Sequence, residues 1–286
     1  MNNFDDLKLA TEGMTGGKNT VLLDDVGMPS IMVVVPKMNS KDLVTGATDE
    51  THPGFVVDGV EKDKVYVSKF INVVHNSRAY SLPMQDAYVN VNFDNALNYC
   101  RNKGNGWGLM PASLWGAIAL WCKKNGTQPH GNNSYGADST YNFENGVSVY
   151  TNTSGRTNRT ATGSGPVTWA HDFTLAGICD LNGNINEWNA GVRLIAGALQ
   201  IIPYANCMLS NYDMGAESTE WKYIDLDGSY TSDSSDNYIH LDYNSSDGKF
   251  YWSDGISSRN DTVKSIGFAN LTTDENVEDS AKILLR

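Results

Sequence analysis

Between residues 92 and 126 the chain carries two apolar helical stripes in close succession, and any fold it adopts must cover both. Asn92 is placed to cap a helix in which Phe93, Ala96, Leu97 and Cys100 follow at the spacing of one buried face. Gly104 and Gly106 end it. A second helix is predicted from about Pro111, a residue tolerated in a first turn. Its stripe is wide: Leu114, Ile118 and Trp121 with Trp115, Ala119 and Cys122. Lys123 and Lys124 complement the dipole of its last turn, and Asn125-Gly126 closes it.

Strand signals flank this helical pair. Ile31 to Val35 reads as a buried strand stopped by Pro36. Residues 39 to 54 are polar and turn-rich, either a linker, an attachment loop or a long surface excursion. Lys64 to Val74 alternates, with Val65, Val67 and Lys69 on one face against Tyr66, Ser68 and Phe70. Residues 127 to 165 turn abruptly to Gly, Ser, Thr and Asn, the composition of a long surface loop held by side-chain hydrogen bonds. Residues 206 to 255 form a second irregular region, with strand-like pieces at 238–243 and 249–252 joined through Ser245 to Gly248. A last amphipathic helix is predicted from Thr273. The expected organisation is an N-terminal strand or attachment segment over 1–50, a main domain over 51–270 and a C-terminal helix over 271–286.

Charge narrows the range of partners. Twenty-one basic against 33 acidic residues give a net charge of -12, and no basic run exceeds Lys123-Lys124, which argues against nucleic acid and anionic membranes. No segment approaches the apolar length that crosses a bilayer, and no signal peptide is expected at Met1. The four cysteines, Cys100, Cys122, Cys179 and Cys207, lack metal-ligand spacing and are expected to be buried thiols. The five histidines never stand at i, i+4, and no nucleophile, phosphate-loop or dinucleotide motif occurs.

The segment Asp180-Leu-Asn-Gly-Asn-Ile-Asn-Glu-Trp188 is a polar turn running into a large aromatic. Either a bound cation or a dense hydrogen-bond net could keep it ordered. Its D-x-x-G-N-x-x-E-W pattern resembles the formylglycine-generating-enzyme-like branch of the C-type lectin fold. Three more segments resemble that branch, in the order expected: Val89 to Ala96 with Tyr99-Cys100, Trp107 to Trp115, and Gly131-Asn132-Asn133. Asn72 to Asn76 and Ala119 to Gly126 are similar to a subgroup from phages and prophages of gut bacteria, whose members resemble tail receptor-binding proteins diversified by retroelements.

The resemblance implies an α+β fold, two helices against a small twisted antiparallel sheet with long irregular loops. It implies a structural calcium ion on the main chain of Asn182, Gly183 and Ile185 and the carboxylate of Glu187. The alternative is that Asn184 and Glu187 lock the turn without metal. The family's copper-binding cysteine pair has no counterpart here, so neither copper nor iron is expected, and the chain is expected to be no enzyme. The implied role is a phage-tail protein of the virion, assembled in a host cytoplasm with other tail proteins, possible as a homotrimer, and docking a bacterial or other cell-surface receptor. The family's R-G-G-S-W-like closing strand is missing, as expected of a truncated member. The Tyr-, Ser-, Asn- and Asp-rich composition of antibody loops puts the expected contact surface at Tyr212, Tyr230, Tyr238, Tyr243, Tyr251 and Trp252. The tryptophans at 107, 115, 121, 169 and 188 are expected in the core.

Overall fold

The computed structural model describes residues 3–195, 198–224, 230–232, 241–244 and 249–252, the last two segments through their backbone alone. The chain opens with a helix that the sequence reading did not anticipate, α1 (Asn3–Thr15). Asp5 and Asp6 lie in its first turn, where carboxylates favour the positive helix end, and Gly16 and Gly17 end it with left-handed backbone. Its turns bond to the sheet that follows: Thr20 donates its hydroxyl to Glu12 at 2.6 Å.

β1 (Asn19–Leu23) and β2 (Pro29–Pro36) form an antiparallel hairpin. After it come a single helical turn, α2 (Ser40–Leu43), a 3-10 turn at Pro53–Phe55, and the short pair β3 (Val56–Val57) and β4 (Val60–Glu61). β5 (Lys64–Ser68) then returns to pair antiparallel with β2, Val33 opposite Val67 and Val35 opposite Val65. These four valines are buried, as is Lys69, while Tyr66 faces solvent, so the alternation read from the sequence fixes which face packs. The first 50 residues and β5 therefore share one sheet. The polar stretch 39–54 is anchored too, since Leu43 and Phe55 lie in the core.

β6 (Val73–His75) and β7 (Arg78–Tyr80) make a tight hairpin before α3 (Phe93–Arg101). Asn92 caps α3 as its sequence position implies, accepting from the Asn95 N–H at 2.9 Å. α4 (Ala112–Asn125) ends on left-handed Gly126. It packs on the three-stranded sheet: Leu114, Ala117, Ile118 and Cys122 join Val33, Val35, Val65, Val67 and Phe55 in one cluster. Gly54 sits so close to α4 that a Cβ there would strike the Leu114 backbone, which brings Phe55 fully under the helix.

α3 packs elsewhere. Leu97 belongs to a second cluster with Ala190, Ile202, Cys207, Met214 and Trp221. The two helical stripes are thus covered in two different clusters. The second lies against a four-stranded antiparallel sheet in which β10 (Val192–Ile195), β11 (Ala198–Ile201), β12 (Lys222–Ile224) and β13 (Tyr230–Thr231) pair in chain order. Between α4 and β10 lies a separate antiparallel hairpin of β8 (Ser148–Thr151) and β9 (Thr157–Thr160). β14 (Leu241–Asn244) pairs with β15 (Lys249–Trp252) as the sequence suggests. The chain is thus α+β, with few helices and small antiparallel sheets. The predicted C-terminal helix lies outside the described residues. No helix among the described residues is long and apolar enough to cross a membrane.

Candidate functional site

The turn at 180–188 owes its order to close backbone contact and one asparagine. Asp180, Gly183 and Asn184 all have positive φ, a conformation that Gly reaches freely and Asn and Asp tolerate. The loop after α4 lies directly on this turn. A Cβ on Gly131 would collide with the Asn182 carbonyl, and one on Gly183 with the Asn132 carbonyl, so each glycine is required by the other's loop. Asn132 bridges Gly183 in parallel, and its carbonyl accepts from the Asn184 N–H at 2.8 Å. Asn184 Oδ1 accepts from the Thr160 N–H at 2.8 Å, the Thr160 hydroxyl at 3.3 Å and Asn132 Nδ2 at 3.2 Å, while its Nδ2 donates to the Thr160 carbonyl at 3.0 Å. One side chain joins the turn, the Gly131 loop and β9.

This net bears on the calcium expectation. Of the implied donors, the Gly183 carbonyl already accepts from the Ile185 N–H at 2.8 Å, and the Asn182 carbonyl lies against Gly131. Glu187 makes no hydrogen bond to the turn among the described residues; it lines a cavity instead. Desolvation, with the Asp180 carboxylate second, pushes the Glu187 carboxyl up to about 7. Desolvation likewise raises Asp180 to about 6, against an opposing hydrogen bond from the Gly163 N–H at 2.7 Å. No group of three His, Cys, Asp or Glu side chains among the described residues could hold a metal ion. The residues present fit the self-bonded turn better than the six to eight oxygens that calcium takes.

Cys100, Cys122 and Cys207 are buried and Cys179 is half-buried. Burial pushes the thiols of Cys100 and Cys179 up to about 11 and those of Cys122 and Cys207 up to about 12. Such thiols stay protonated and are poor nucleophiles and poor metal ligands.

The insert of residues 127–165 is built by its polar side chains, as its composition implies. Asp138 accepts from the N–H groups of Thr140 at 2.8 Å, Tyr141 at 3.0 Å and Gly131 at 3.1 Å. Burial works against its charge, but these amides hold its carboxyl below the usual range. Glu144 Oε2 meets His130 Nδ1 at 2.9 Å and accepts from the Trp169 indole at 3.1 Å. On this frame aromatic side chains point outward: Phe143 is 77 % exposed, Tyr135 57 % and Tyr150 46 %. Every residue of β8 is exposed, whereas β9 ties the hairpin to the body through the fully buried Thr160. Arg156 covers the Tyr135 ring at 4.7 Å and Arg159 the Tyr150 ring at 4.1 Å. Arg159 is fixed in turn by paired bonds of 2.8 Å to both oxygens of Asp86. Two of the exposed rings, Tyr135 and Tyr150, are thus each covered on one side by an arginine.

The residues expected to form the contact surface are distributed differently. Tyr212 packs half-buried on the second core cluster, and its hydroxyl accepts from Asn206 Nδ2 at 3.2 Å. A ring on an irregular segment finds an apolar neighbour when that segment closes over a sheet, so part of Tyr212 is covered and part stays accessible. Tyr230 is half-buried, edge-on to Tyr204 at 5.9 Å. Tyr238 and the side chains of Tyr243, Tyr251 and Trp252 lie outside the described residues. Trp169 is core as expected; Trp188 is 41 % exposed, its indole bonded to the Val91 carbonyl at 2.9 Å and its ring edge-on to Phe93. The signal for the exposed rings was in the sequence, since residues 135–150 have the same Tyr, Ser, Asn and Gly composition that drew attention to residues 206–255.

No family model matches this chain, and no curated protein matches it.

Proposed function

We propose that this chain is a non-enzymatic, phage or prophage tail-associated receptor-binding protein with a C-type-lectin-like fold of the formylglycine-generating-enzyme-like branch. The observation that carries the binding role is the exposed strand β8 and the preceding loop, where Tyr135, Phe143 and Tyr150 are exposed on a hydrogen-bonded frame. Exposed apolar rings cost solubility and are found grouped where a partner covers them. Rings held by Arg156 and Arg159 lose little freedom on docking, which favours affinity. The raised thiols, three of them buried and that of Cys179 half-buried, support a role without cysteine chemistry. The ordered sequence motifs support the fold and the tail assignment.

The test is competition. Purified protein added to host cells ahead of the parent phage should reduce adsorption, and the triple variant Tyr135→Ser, Phe143→Ser, Tyr150→Ser should not, while melting as the parent does. A triple variant that blocks as well as the parent rules out this surface. Incorporation into particles with no effect of either protein on adsorption marks a purely structural tail subunit.

A further inference from the structure

A cavity of about 600 Å³ lies between β5, α3, the start of α4 and residues 178–189. Its size is that of a small-molecule site, which is commonly a few hundred to about 1,000 Å³. Trp107, Trp115 and Trp188 line it together with Tyr88, Met110 and Leu109. Val65, Val67 and Leu114 of its wall belong to the apolar cluster under α4, while Ala96 and Cys100 come from α3.

Two polar groups of its wall lack partners among the described residues. Trp115 is 8 % exposed, and its indole N–H has no hydrogen-bond acceptor. The Glu187 carboxylate is accessible only in part, accepts no hydrogen bond, and has another carboxylate, Asp180, as its charged neighbour. A half-buried carboxyl with no hydrogen-bond donor beside it is disfavoured in its charged form, and a cation seated against it would restore that form. Among the described residues the wall carries three cations, of which Lys62 is half-buried and partly open to solvent. Lys103 donates to the Ser30 hydroxyl at 2.6 Å and sits 3.4 Å over the Trp107 ring, and Lys64 is exposed beside Tyr66. The acidic group of the wall thus has no cation bonded to it among the described residues and is framed by aromatic rings, which themselves favour cations.

We propose that this cavity is a binding site for a small molecule with an apolar or aromatic body ending in a protonated amine, the amine seated against Glu187. The body would fill the space between Trp107, Trp115 and Met110, and Trp188 stands at the solvent side. The site is separate from the exposed rings of the insert and does not depend on the receptor-binding reading.

Calorimetric titration of the full chain with 2-phenylethylamine, 2-phenylethanol and 3-phenylpropionate tests the proposal. These probes share a body and differ in the terminal group. The amine is expected to bind saturably and at least about ten-fold more tightly than either control, the preference a charge-assisted pair confers. Glu187→Gln should reduce that preference to about two-fold or less, with the amide still hydrogen-bonding but uncharged. Should that variant fail to fold, Ala96→Phe, which places a ring into the cavity from α3, should abolish binding of all three probes. Equal binding of the three probes, no saturable binding at all, or displacement of the amine by calcium would each overturn the proposal.

Discussion

Asn184→Ala tests the claim that one side chain holds three segments together. The substitution removes both partners of the Thr160 backbone, whose N–H and carbonyl bond to Asn184 at 2.8 and 3.0 Å on a residue with no exposed surface. Orphaning a buried backbone group costs about 1–3 kcal/mol, and two are orphaned here. Alanine at the φ of 62° that Asn184 adopts adds about 1 kcal/mol, because a Cβ crowds the following carbonyl where asparagine is better tolerated. Asn184 is half-buried, so water can reach part of the gap, and the lower part of the range applies: a loss of about 3–4 kcal/mol. For a domain whose total stability is about 5–15 kcal/mol this is a large fraction. Urea unfolding followed by tryptophan fluorescence should show a lower midpoint at unchanged slope, the signature of lost stability without a changed unfolded state. Asn184→Asp keeps an acceptor for the Thr160 N–H and tolerates the backbone, but loses the donor, and should fall between the two. A loss in Asn184→Ala within about 0.5 kcal/mol, the effect of a substitution that breaks nothing, would refute the reasoning.

Other consequences can be measured on the same preparation. Desolvation lowers Lys103 from 10.5 to about 8, so between those values the unfolded chain binds more protons than the folded one and stability gains with rising pH; relative to Lys103→Met, the parent should gain about 2–3 kcal/mol across that window, and a flat difference would show that the ammonium is not desolvated. Because Asn184 and its partners order the turn, excess calcium and excess chelator should leave the melting temperature unchanged; a saturable rise with calcium would restore Asn182, Gly183, Ile185 and Glu187 as a coordination site. Burial raises all four thiols, so a disulfide reagent at mildly alkaline pH should label the native chain only slowly, with Cys179, the least covered, first; rapid native labelling of Cys207 would contradict its burial. Gly131→Ala should destabilise more than Gly126→Ala in thermal melts, because a Cβ at 131 meets the Asn182 carbonyl whereas at 126 only the left-handed φ opposes it.

The sequence by itself determined the elements whose stabilising pattern is local. Asn92 announces the start of α3, Gly126 the end of α4, and the alternation around Val65 and Val67 the buried face of β5, because caps, left-handed glycines and side-chain period act within a few residues. The helix α1 escaped because its apolar residues form no consistent face, with Leu9 and Met14 exposed, and its support comes from β1. Tertiary structure alone decided the rest. The 180–188 turn could be read as polar and glycine-pivoted, yet whether a cation or Asn132 and Thr160 would order it depended on loops brought in from 24 and 52 residues away. The same holds for the aromatics: composition placed rings in both irregular regions, and only packing covered part of Tyr212 and left Phe143 exposed. Burial is a property of what closes over a residue, and for a side chain on irregular backbone no local period encodes that partner.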